Sequence, residues 1–330
     1  MSNTPYEGVR MDQWNRRDDG SQVYYVSGGQ PDVSLIKRLV EEINPSCIYL
    51  NSMFSRYFTL LPLTTIDRGK YKIVLAPRGM LSQGALSVKP LKKKLFFLFA
   101  KLRGLFNHVI FQATDEEEKK QILTQFPDAV VKIASNLPRR TVVLNAKRLP
   151  KISGEVRLLN VARVAPEKNL LFALESLKPV KGNVRFDHYG TTYDLSYAAQ
   201  CSKIAAALPA NISVANKGEV PAEEIPLLME GYHFLLLPSL GENFGHIILE
   251  ALSAGMPVII SDRTPWKDLS AKKAGWDISL NDPLRFTQII EQCAAMDEAM
   301  YSEYSKGAFE LASSFVNDKT NILLNKELFL

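Results

Sequence analysis

The chain has 330 residues, of which 46% are hydrophobic and 23% charged, and its formal net charge is +5 at pH 7. This length predicts two domains with a core each, and the composition is typical of a soluble globular protein. The mild positive charge gives no argument for a nucleic-acid partner, and no apolar run is long enough to span a bilayer. Three widely spaced cysteines without a CxxC pair argue against a disulfide framework or a structural zinc site. Reduced cysteines and a polar start without the apolar core of a signal peptide predict a cytoplasmic location.

The first half of the chain alternates short apolar runs with amphipathic segments. Residues 1–20 are expected to form a loop or a loose terminus. Strands are predicted at 23–26, 47–50, 71–76, 108–112 and 130–134, and helices at 31–43, at 54–63 and in the segment that ends at Gln125. This alternation predicts a parallel, doubly wound sheet.

A second series of strands follows a segment that is predicted to be the linker. That segment, residues 136–151, contains two prolines and five basic residues. The later strands are predicted at 156–160, 184–189, 212–215, 234–237 and 258–260, and the last helices near 300–315. We therefore predict an α/β protein with two Rossmann-like, doubly wound domains facing a cleft, over residues 1–145 and 146–315.

The stretch around which the chain is organised is residues 233–262, which read HFLLLPSLGENFGHIILEALSAGMPVIISD. It predicts a buried strand, a glycine-bearing loop, a helix and then a second strand. Asn243 is predicted to cap the helix, so that the amides of Phe244, Gly245 and His246 point out of its start. Such a helix start can bind an anion or sugar hydroxyls.

Two glutamates flank this helix start. Glu242 precedes the helix, and Glu250 is expected in its third turn, roughly 12 Å away along the helical rise. That distance matches the span from the sugar to the ribose in a nucleotide diphosphate sugar. The alternative is an ordinary α/β unit with a solvated glutamate on each side.

The Glu-x7-Glu pair in this loop and helix resembles the retaining glycosyltransferases of the GT-B fold, family 4. The resemblance implies transfer of a sugar from a UDP-, GDP- or ADP-sugar to a glycan or lipid-linked acceptor with retention of configuration. It further implies that Glu250 holds the donor ribose and that Glu242 lies near the donor sugar, with a pathway in surface polysaccharide or glycoconjugate synthesis. No resident cofactor is expected. No two aspartates stand two positions apart, so the chemistry is expected to be metal-independent.

Residues 158–169, LLNVARVAPEKN, resemble the family's strand-end motif, in which an arginine and a lysine grip the donor diphosphate. The resemblance assigns these roles to Arg163 and Lys168. Two fixed cations beside a leaving phosphate would stabilise the charge that develops there. The alternative is a basic loop capped by Glu167.

Further donor contacts are implied at two glycines of the second domain. Gly190 ends a predicted strand, and residues 216–220, with Gly218 and Val220, match the segment that lies against the donor base. His188, His233 and His246 have no metal-ligand spacing.

In the first domain, residues 76–85 resemble a cleft-facing segment of related bacterial sugar transferases. Arg78 and Gly79 are therefore candidates for contact with the donor phosphate or the acceptor; otherwise they form a turn with an exposed arginine. His108, at a strand start, is assigned to the same acceptor side, with a packing role as the alternative.

Residues 89–103 combine a lysine run with an apolar run, KPLKKKLFFLFAKLR. The apolar run is expected to face the core with the lysines solvated. The alternative is peripheral docking on an anionic membrane at its inner face, which would suit a lipid-linked acceptor.

The resemblance covers nearly the whole chain but begins late. No strand followed by a glycine-rich loop precedes Val23, so we expect an incomplete first domain, with donor binding retained and transfer weakened. The alternative is that residues 1–20 replace the missing unit. The resemblance also implies that residues 316–330 pack back on the first domain.

Two functions of other classes were weighed against this one. A non-catalytic sugar-nucleotide-binding or scaffold protein remains the alternative. A dinucleotide-dependent oxidoreductase is disfavoured because no G-x-G-x-x-G follows a predicted strand.

Overall fold

The computed structural model of the protein describes residues 8–87, 90–138 and 148–330. The chain forms two compact units. The first ends at Ala134 and takes in Leu324–Leu330, and the second is Ser135–Leu323. The predicted boundary at 145/146 and much of the predicted linker lie outside the described residues.

The first unit contains a parallel sheet and a separate hairpin. Its strands are β1 (Trp14–Arg16), β2 (Gln22–Tyr24), β3 (Cys47–Asn51), β4 (Lys72–Ala76), β5 (Val109–Ala113) and β6 (Val130–Ile133). The last four pair in parallel in the order of the chain, which confirms the predicted α/β class. β1 and β2 form an antiparallel hairpin instead, so the expectation of a loop or loose terminus over 1–20 was wrong for residues 14–16. Trp14 packs edge-on against Tyr24 with ring centroids 5.3 Å apart, a cross-strand aromatic contact that stabilises the hairpin.

Among the described residues, five α-helices accompany this sheet. They are α1 (Val33–Ile43), α2 (Leu61–Thr65), α3 (Gln83–Ser87), α4 (Pro90–Leu102) and α5 (Glu116–Gln125). The helix predicted over 54–63 is present from Arg56, where a π-helical turn, Arg56–Leu60, leads directly into α2. α1 begins one residue after Asp32, whose side chain accepts a hydrogen bond from the Leu35 amide at 2.8 Å.

Helix α4 is apolar on two opposite sides. Phe96, Phe97 and Ala100 pack into the core of the first unit, within a cluster of aromatic rings. The opposite side carries Leu91, Leu95, Leu98 and Leu102, which are 75%, 68%, 57% and 78% exposed. The expectation that the apolar run faces the core was therefore right for one side and wrong for the other, because a helix can turn only one side to a sheet.

The second unit is built on a six-stranded parallel sheet. Its strands are β7 (Glu155–Val161), β8 (Asn183–Tyr189), β9 (Ile212–Asn216), β10 (Phe234–Leu237), β11 (Val258–Ser261) and β12 (Gly275–Ile278). Their order is β12-β11-β10-β7-β8-β9, with β7 and β10 in the middle. All five predicted strands are present, and β12 was missed. The order reverses between β7 and β10, so their loops meet at a topological switch point, where such sheets bind ligands.

Seven helices of the described chain follow β6. They are α6 (Leu170–Leu177), α7 (Leu195–Ala206), α8 (Ile225–Met229), α9 (His246–Ser253), α10 (Pro283–Ala295), α11 (Glu298–Asn317) and α12 (Lys319–Glu327). Ala308 and Ala312 of α11 are fully buried in the same cluster as Leu249 and Leu252 of α9, so small residues let the two helices pack closely. No helix among the described residues is both long and apolar enough to cross a bilayer.

Lys151, the last residue of the predicted linker, is buried in the second unit. Its Nζ donates to the carbonyls of Ile152 at 2.8 Å, Ala294 at 3.0 Å and Met296 at 3.0 Å. The lysine therefore satisfies carbonyls at the end of α10, where a cation is favourable. Burial lowers the pKa of its ammonium group. Lys151 stands in the predicted linker segment, and only the folded chain brings it to this helix end.

Candidate functional site

The carboxyl ends of β7 and β10 are adjacent because the two strands pair in parallel, with Phe234 opposite Leu158 and Leu235 opposite Leu159. The loops that follow them carry the predicted residues Arg163 and Lys168 on one side and Glu242 on the other. Sheet pairing therefore brings together two segments that are more than seventy residues apart in the chain.

Lys168 and Glu242 form an ion pair. The Lys168 Nζ lies 2.6 Å from Glu242 Oε1, and these side chains are only 21% and 12% exposed. The Ser239 hydroxyl donates to the same carboxylate oxygen at 2.7 Å. A charge-assisted hydrogen bond of this length, shielded from solvent, fixes both side chains. No local pattern of residues predicts that these two candidates contact each other.

Two further hydrogen bonds join the same loops. The Leu240 amide donates to the Glu167 carbonyl at 2.9 Å, and the Asn169 side-chain amide donates to the Pro238 carbonyl at 3.0 Å. Asn169 has a left-handed backbone, φ 58°, which ends the short 3-10 turn Pro166–Lys168. The lysine is thus held by backbone contacts as well as by its own charge.

Arg163 is more loosely held than Lys168. Its side chain is 53% exposed, pairs with Glu167 at 3.1 Å and lies 5.4 Å from the Tyr193 ring centroid. An exposed pair of this kind contributes little to stability, so the guanidinium can reorient toward a ligand.

Helix α9 begins differently from the prediction. Its N-cap is Gly245, in the left-handed region at φ 76°, and not Asn243, which lies two residues earlier. A Cβ on Gly245 would approach the Ile248 side chain to 2.7 Å, so the tight turn requires glycine. The helix starts at His246, and Glu250 is consequently in its second turn instead of the third.

The loop before α9 is fixed by aromatic packing. Phe244 is 5% exposed and packs against Trp266, whose indole nitrogen donates to the Phe244 carbonyl at 2.6 Å. The ring of Phe244 therefore lies in the core and fixes the backbone of this loop. His246 is exposed, with its ring 4.8 Å from that of Phe244. Sequence reasoning missed Ser239 and Trp266: Ser239 stands inside the quoted motif, but nothing local marks Trp266.

Gly190 and Gly218 lie together after β8 and β9. The Gly190 amide donates to the Gly218 carbonyl at 2.7 Å. At φ 152°, a Cβ on Gly190 would lie 1.8 Å from the Ala162 carbonyl oxygen, so the backbones approach closely enough to exclude any side chain. Gly218, at φ 74°, faces open space, and Val220 is half-buried against the core.

A buried polar pair at the ends of β7 and β8 was also missed. Asn160 donates to the Leu236 carbonyl at 2.6 Å, and its side-chain oxygen lies 2.9 Å from His188 Nδ1. The amide's orientation makes that ring nitrogen the donor and leaves Nε2 unprotonated. Burial lowers the pKa of His188 to about 4, so the ring is neutral.

In the first unit the predicted residues separate into two places. Arg78 and Gly79 follow β4, at the carboxyl edge of the sheet. His108 precedes β5, at the opposite edge, and is exposed at φ 62°. Grouping His108 with Arg78 was therefore wrong, because a strand separates the ends on which they lie. Within the described chain, no group of three or more His, Cys, Asp and Glu residues could hold a metal ion.

Comparison with solved structures identifies the fold. Sucrose-phosphate synthase from Thermosynechococcus elongatus superposes with a TM-score of 0.71 at 13% identity, over 98% of this chain and 86% of that one. HepE from Anabaena gives a TM-score of 0.68 at 15% identity, over 89% and 80% of the two chains. TarM from S. aureus gives 0.68 at 16%, over 96% and 63%. The fold, two Rossmann-like units with a charged loop at a sheet switch point, is that of the GT-B glycosyltransferases.

A family match covers most of the second unit. Residues 144–307 match the family described as glycosyl transferases group 1. The 2-deoxystreptamine glucosyltransferase of Streptomyces kanamyceticus is 26% identical over 206 residues, covering 62% of this chain and 50% of that enzyme. The chain thus matches about half the length of this curated relative.

Proposed function

We propose that the protein is a glycosyltransferase that moves a sugar from a nucleotide diphosphate sugar to a glycan or lipid-linked acceptor with retention of configuration. The family of residues 144–307 supports this activity. The observation that carries the proposal is the contact between Lys168 and Glu242, which places a cation and a carboxylate beside the start of α9.

Each candidate residue receives a role that suits its chemistry. Lys168 and the more mobile Arg163 meet the donor diphosphate, and the positive end of α9 adds to their field. Glu250 accepts hydrogen bonds from the ribose hydroxyls, and Glu242 accepts them from the donor sugar. The segment with Gly218 and Val220 lies against the base. HepE has been solved with UDP-glucose and TarM with UDP, so UDP-sugars are the first donors to test.

In the proposed reaction the bond between the anomeric carbon and the diphosphate oxygen breaks while the acceptor oxygen forms a new bond on the same face. The acceptor's proton passes to a phosphate oxygen of the leaving nucleotide. Negative charge grows on that phosphate, where preorganised cations stabilise it most. Cationic side chains and helix amides supply this stabilisation in the proposal, without a metal ion.

The test measures nucleotide released from a panel of UDP-, GDP- and ADP-sugars, with a matched pair of lysine variants. Lys168→Ala should lower the rate of release roughly 100- to 1000-fold, the usual loss for one charge-stabilising donor. Lys178→Ala removes an exposed lysine at the end of α6 and should change nothing. Equal activity of both variants would contradict the proposed role of Lys168.

A sugar-nucleotide-binding protein without catalysis would give a different result. Such a protein would gain thermal stability with a nucleotide diphosphate sugar, because a ligand that binds only the native state raises the melting temperature. It would release no nucleotide from any donor and any acceptor. That combination would overturn the proposed transfer and keep the donor site.

We propose further that α4 rests on an anionic lipid surface. Its exposed leucines form one row, and Lys94 and Lys101 on one border and Lys92 on the other are exposed as well. No acidic residue occurs between Pro90 and Leu102. An apolar row with lysines along both borders suits insertion into the boundary between headgroups and acyl chains.

Sedimentation with vesicles tests this surface. The protein should sediment with vesicles of phosphatidylglycerol and phosphatidylcholine, and not with phosphatidylcholine alone or in high salt. Leu95→Glu with Leu98→Glu should abolish the effect. The control is Leu195→Glu with Leu284→Glu, two leucines that are 80% and 64% exposed in the second unit. If the α4 variant instead turned a dimer into a monomer while lipid binding was absent throughout, the row would be a contact between copies.

A further inference from the structure

The Arg78 side chain is fixed at the carboxyl edge of the first sheet by neutral groups. Its Nε donates to the Asn51 side-chain oxygen at 2.9 Å, and its Nη2 donates to the Tyr49 hydroxyl at 2.9 Å. Tyr49 and Asn51 belong to β3, the neighbouring strand. These bonds use two of the five N–H groups of the guanidinium and leave three.

The acceptors that hold Arg78 are fixed in turn. The Tyr49 hydroxyl also donates to the Gln112 side-chain oxygen, and the Gln112 amide donates to the Ala134 carbonyl at 2.7 Å. Gln112 is only 2% exposed. Residues on or just after all four strands of the parallel sheet thus define the position of one half-buried arginine. Such a chain of bonds is preorganised.

The charge of Arg78 has no carboxylate partner among the residues that the structure describes. Glu118 is the nearby acid, and its carboxylate interacts electrostatically with the same Tyr49 hydroxyl. Both of its oxygens are already bonded, one to the Gly79 amide at 2.6 Å and the other to the amide and hydroxyl of Thr114 at 2.8 Å each. Glu118 therefore fixes the backbone beside Arg78 and makes no ion pair with the guanidinium.

The backbone at this position is strained. Arg78 has φ 57° and Gly79 has φ 72°, so an arginine occupies the left-handed region that glycine normally takes. The Glu118 bond to the Gly79 amide maintains this turn. Strain that the surroundings preserve is concentrated at functional sites.

We infer that Arg78 binds an anionic group of the acceptor, a phosphate or a carboxylate. That this anionic group belongs to an acceptor rests on the proposed transferase activity. The free edge of the guanidinium offers parallel N–H groups, which match two oxygens of such a group. The donor diphosphate has its own cations, Arg163 and Lys168, in the second unit. Gly79 and Glu118 are positioning residues for the turn.

The test uses the full chain and three sugar probes in ligand-observed NMR titrations. Glucose 6-phosphate and glucuronate carry the two anionic groups, and glucose is their neutral counterpart. At least one anionic probe should bind about tenfold more tightly than glucose, a difference typical of one charge-assisted contact. Arg78→Gln should remove that preference. Arg16→Gln, at an exposed strand residue of the same unit, should keep it.

Arg78→Lys keeps the positive charge but loses the parallel N–H groups of the guanidinium. It should bind the preferred anionic probe several-fold more weakly than wild type. This variant provides the test if Arg78→Gln does not fold. Equal binding of glucose and both anions would overturn the inference, as would a preference that survives in Arg78→Gln.

A titration with UDP separates the acceptor from the donor. UDP binding should be unchanged in Arg78→Gln and weakened in Glu250→Gln. Loss of UDP binding in Arg78→Gln would assign the arginine to the donor and overturn the inference. Because these probes need no turnover, anion binding can be present even if the proposed transfer fails.

Discussion

The two parallel sheets each present a cation at their carboxyl edge, and the two cations are held in opposite ways. Lys168 in the second unit contacts a carboxylate at 2.6 Å, and the same oxygen accepts from Ser239. Arg78 in the first unit is held by the neutral side chains of Asn51 and Tyr49. One charge is compensated inside the protein, and the other is not.

The difference shows what each edge can recognise. A lysine that is already paired is oriented before a ligand arrives, so a diphosphate adds to an existing field. An arginine held by neutral groups keeps its full charge for the ligand, because its positioning consumes no negative charge. The first arrangement suits charge that grows during a reaction, and the second suits an anion that stays unchanged.

The largest effect is expected from a change to the ion pair of Lys168 and Glu242. Glu242→Gln should lower kcat/KM for the best donor roughly 100- to 1000-fold, since the lysine loses its orientation and the sugar loses an acceptor. Exchanging the charges, with Lys168→Glu and Glu242→Lys together, should restore attraction and melting temperature without restoring activity. Steady-state assays and thermal unfolding of the two proteins measure both effects. Recovery of activity in the exchanged protein would show that only the attraction matters.

A second prediction concerns the two glycines that follow β8 and β9 in the second unit. Gly190→Ala should lower the free energy of unfolding by about 3 kcal/mol or more, because the new Cβ would lie 1.8 Å from the Ala162 carbonyl oxygen. Gly218→Ala, with open space around it, should cost about 1 kcal/mol for its φ of 74° alone. Urea unfolding followed by tryptophan fluorescence compares them, since Trp266 and Trp276 are both buried in this unit. Equal losses would contradict the close approach at Gly190.

Acid should destabilise the second unit before the first. Burial lowers the pKa of His188 and of His233 to about 4 from an ordinary value of 6.5. The unfolded chain therefore binds more protons, and stability falls as pH drops from 6.5 toward 4, by about 2 kcal/mol per histidine between pH 6.5 and 5. In the first unit the lowered pKa values of Asp12 and Asp32 matter only near or below pH 3.8.

Urea titrations at pH 7, 6 and 5 measure the slope of the unfolding free energy against pH. His188→Gln should reduce it by about half, whatever its effect on stability at pH 7. His108→Gln, at an exposed histidine of the first unit, should leave it unchanged. A slope that does not respond to His188→Gln would remove the buried histidine as its cause.

The smallest effect is expected at the Tyr49 hydroxyl, which helps to hold Arg78 in the first unit. Tyr49→Phe removes a hydroxyl that bonds Arg78 and Gln112, and should cost about 1 kcal/mol of unfolding free energy. The ring keeps its packing on Phe329, with centroids 5.7 Å apart. The preference for an anionic sugar should fall a few-fold, because the arginine keeps its charge and loses part of its orientation. A complete loss of that preference would mean that the hydroxyl itself binds the ligand.

Much of the fold could be predicted from the sequence, because buried parallel strands are apolar along their whole length. Short runs such as Phe234–Leu237 and Val258–Ser261 predicted strands directly. β12 was missed because Gly275–Ile278 contains a glycine and an aspartate and resembles a loop. The hairpin strand Trp14–Arg16 was missed because three residues show no periodicity.

The candidate residues of the second unit were also predictable, since Arg163, Lys168, Glu242 and Glu250 occur in short local motifs. Their roles stay predictions. The detailed geometry was less predictable: asparagine is a common N-cap, but the left-handed turn at Gly245 moved the helix start two residues onward. Sequence alone could not tell which of two equally apolar sides of α4 faces the core.

Local sequence is enough to predict the alternation of strands and helices and the motifs at the strand ends, because both depend on neighbours a few residues apart. Only in the folded chain does Lys168 contact Glu242, do neutral side chains hold Arg78, and is Lys151 buried. Each of these contacts joins segments far apart in the chain. Their geometry depends on strand order and register, which no local pattern of residues encodes.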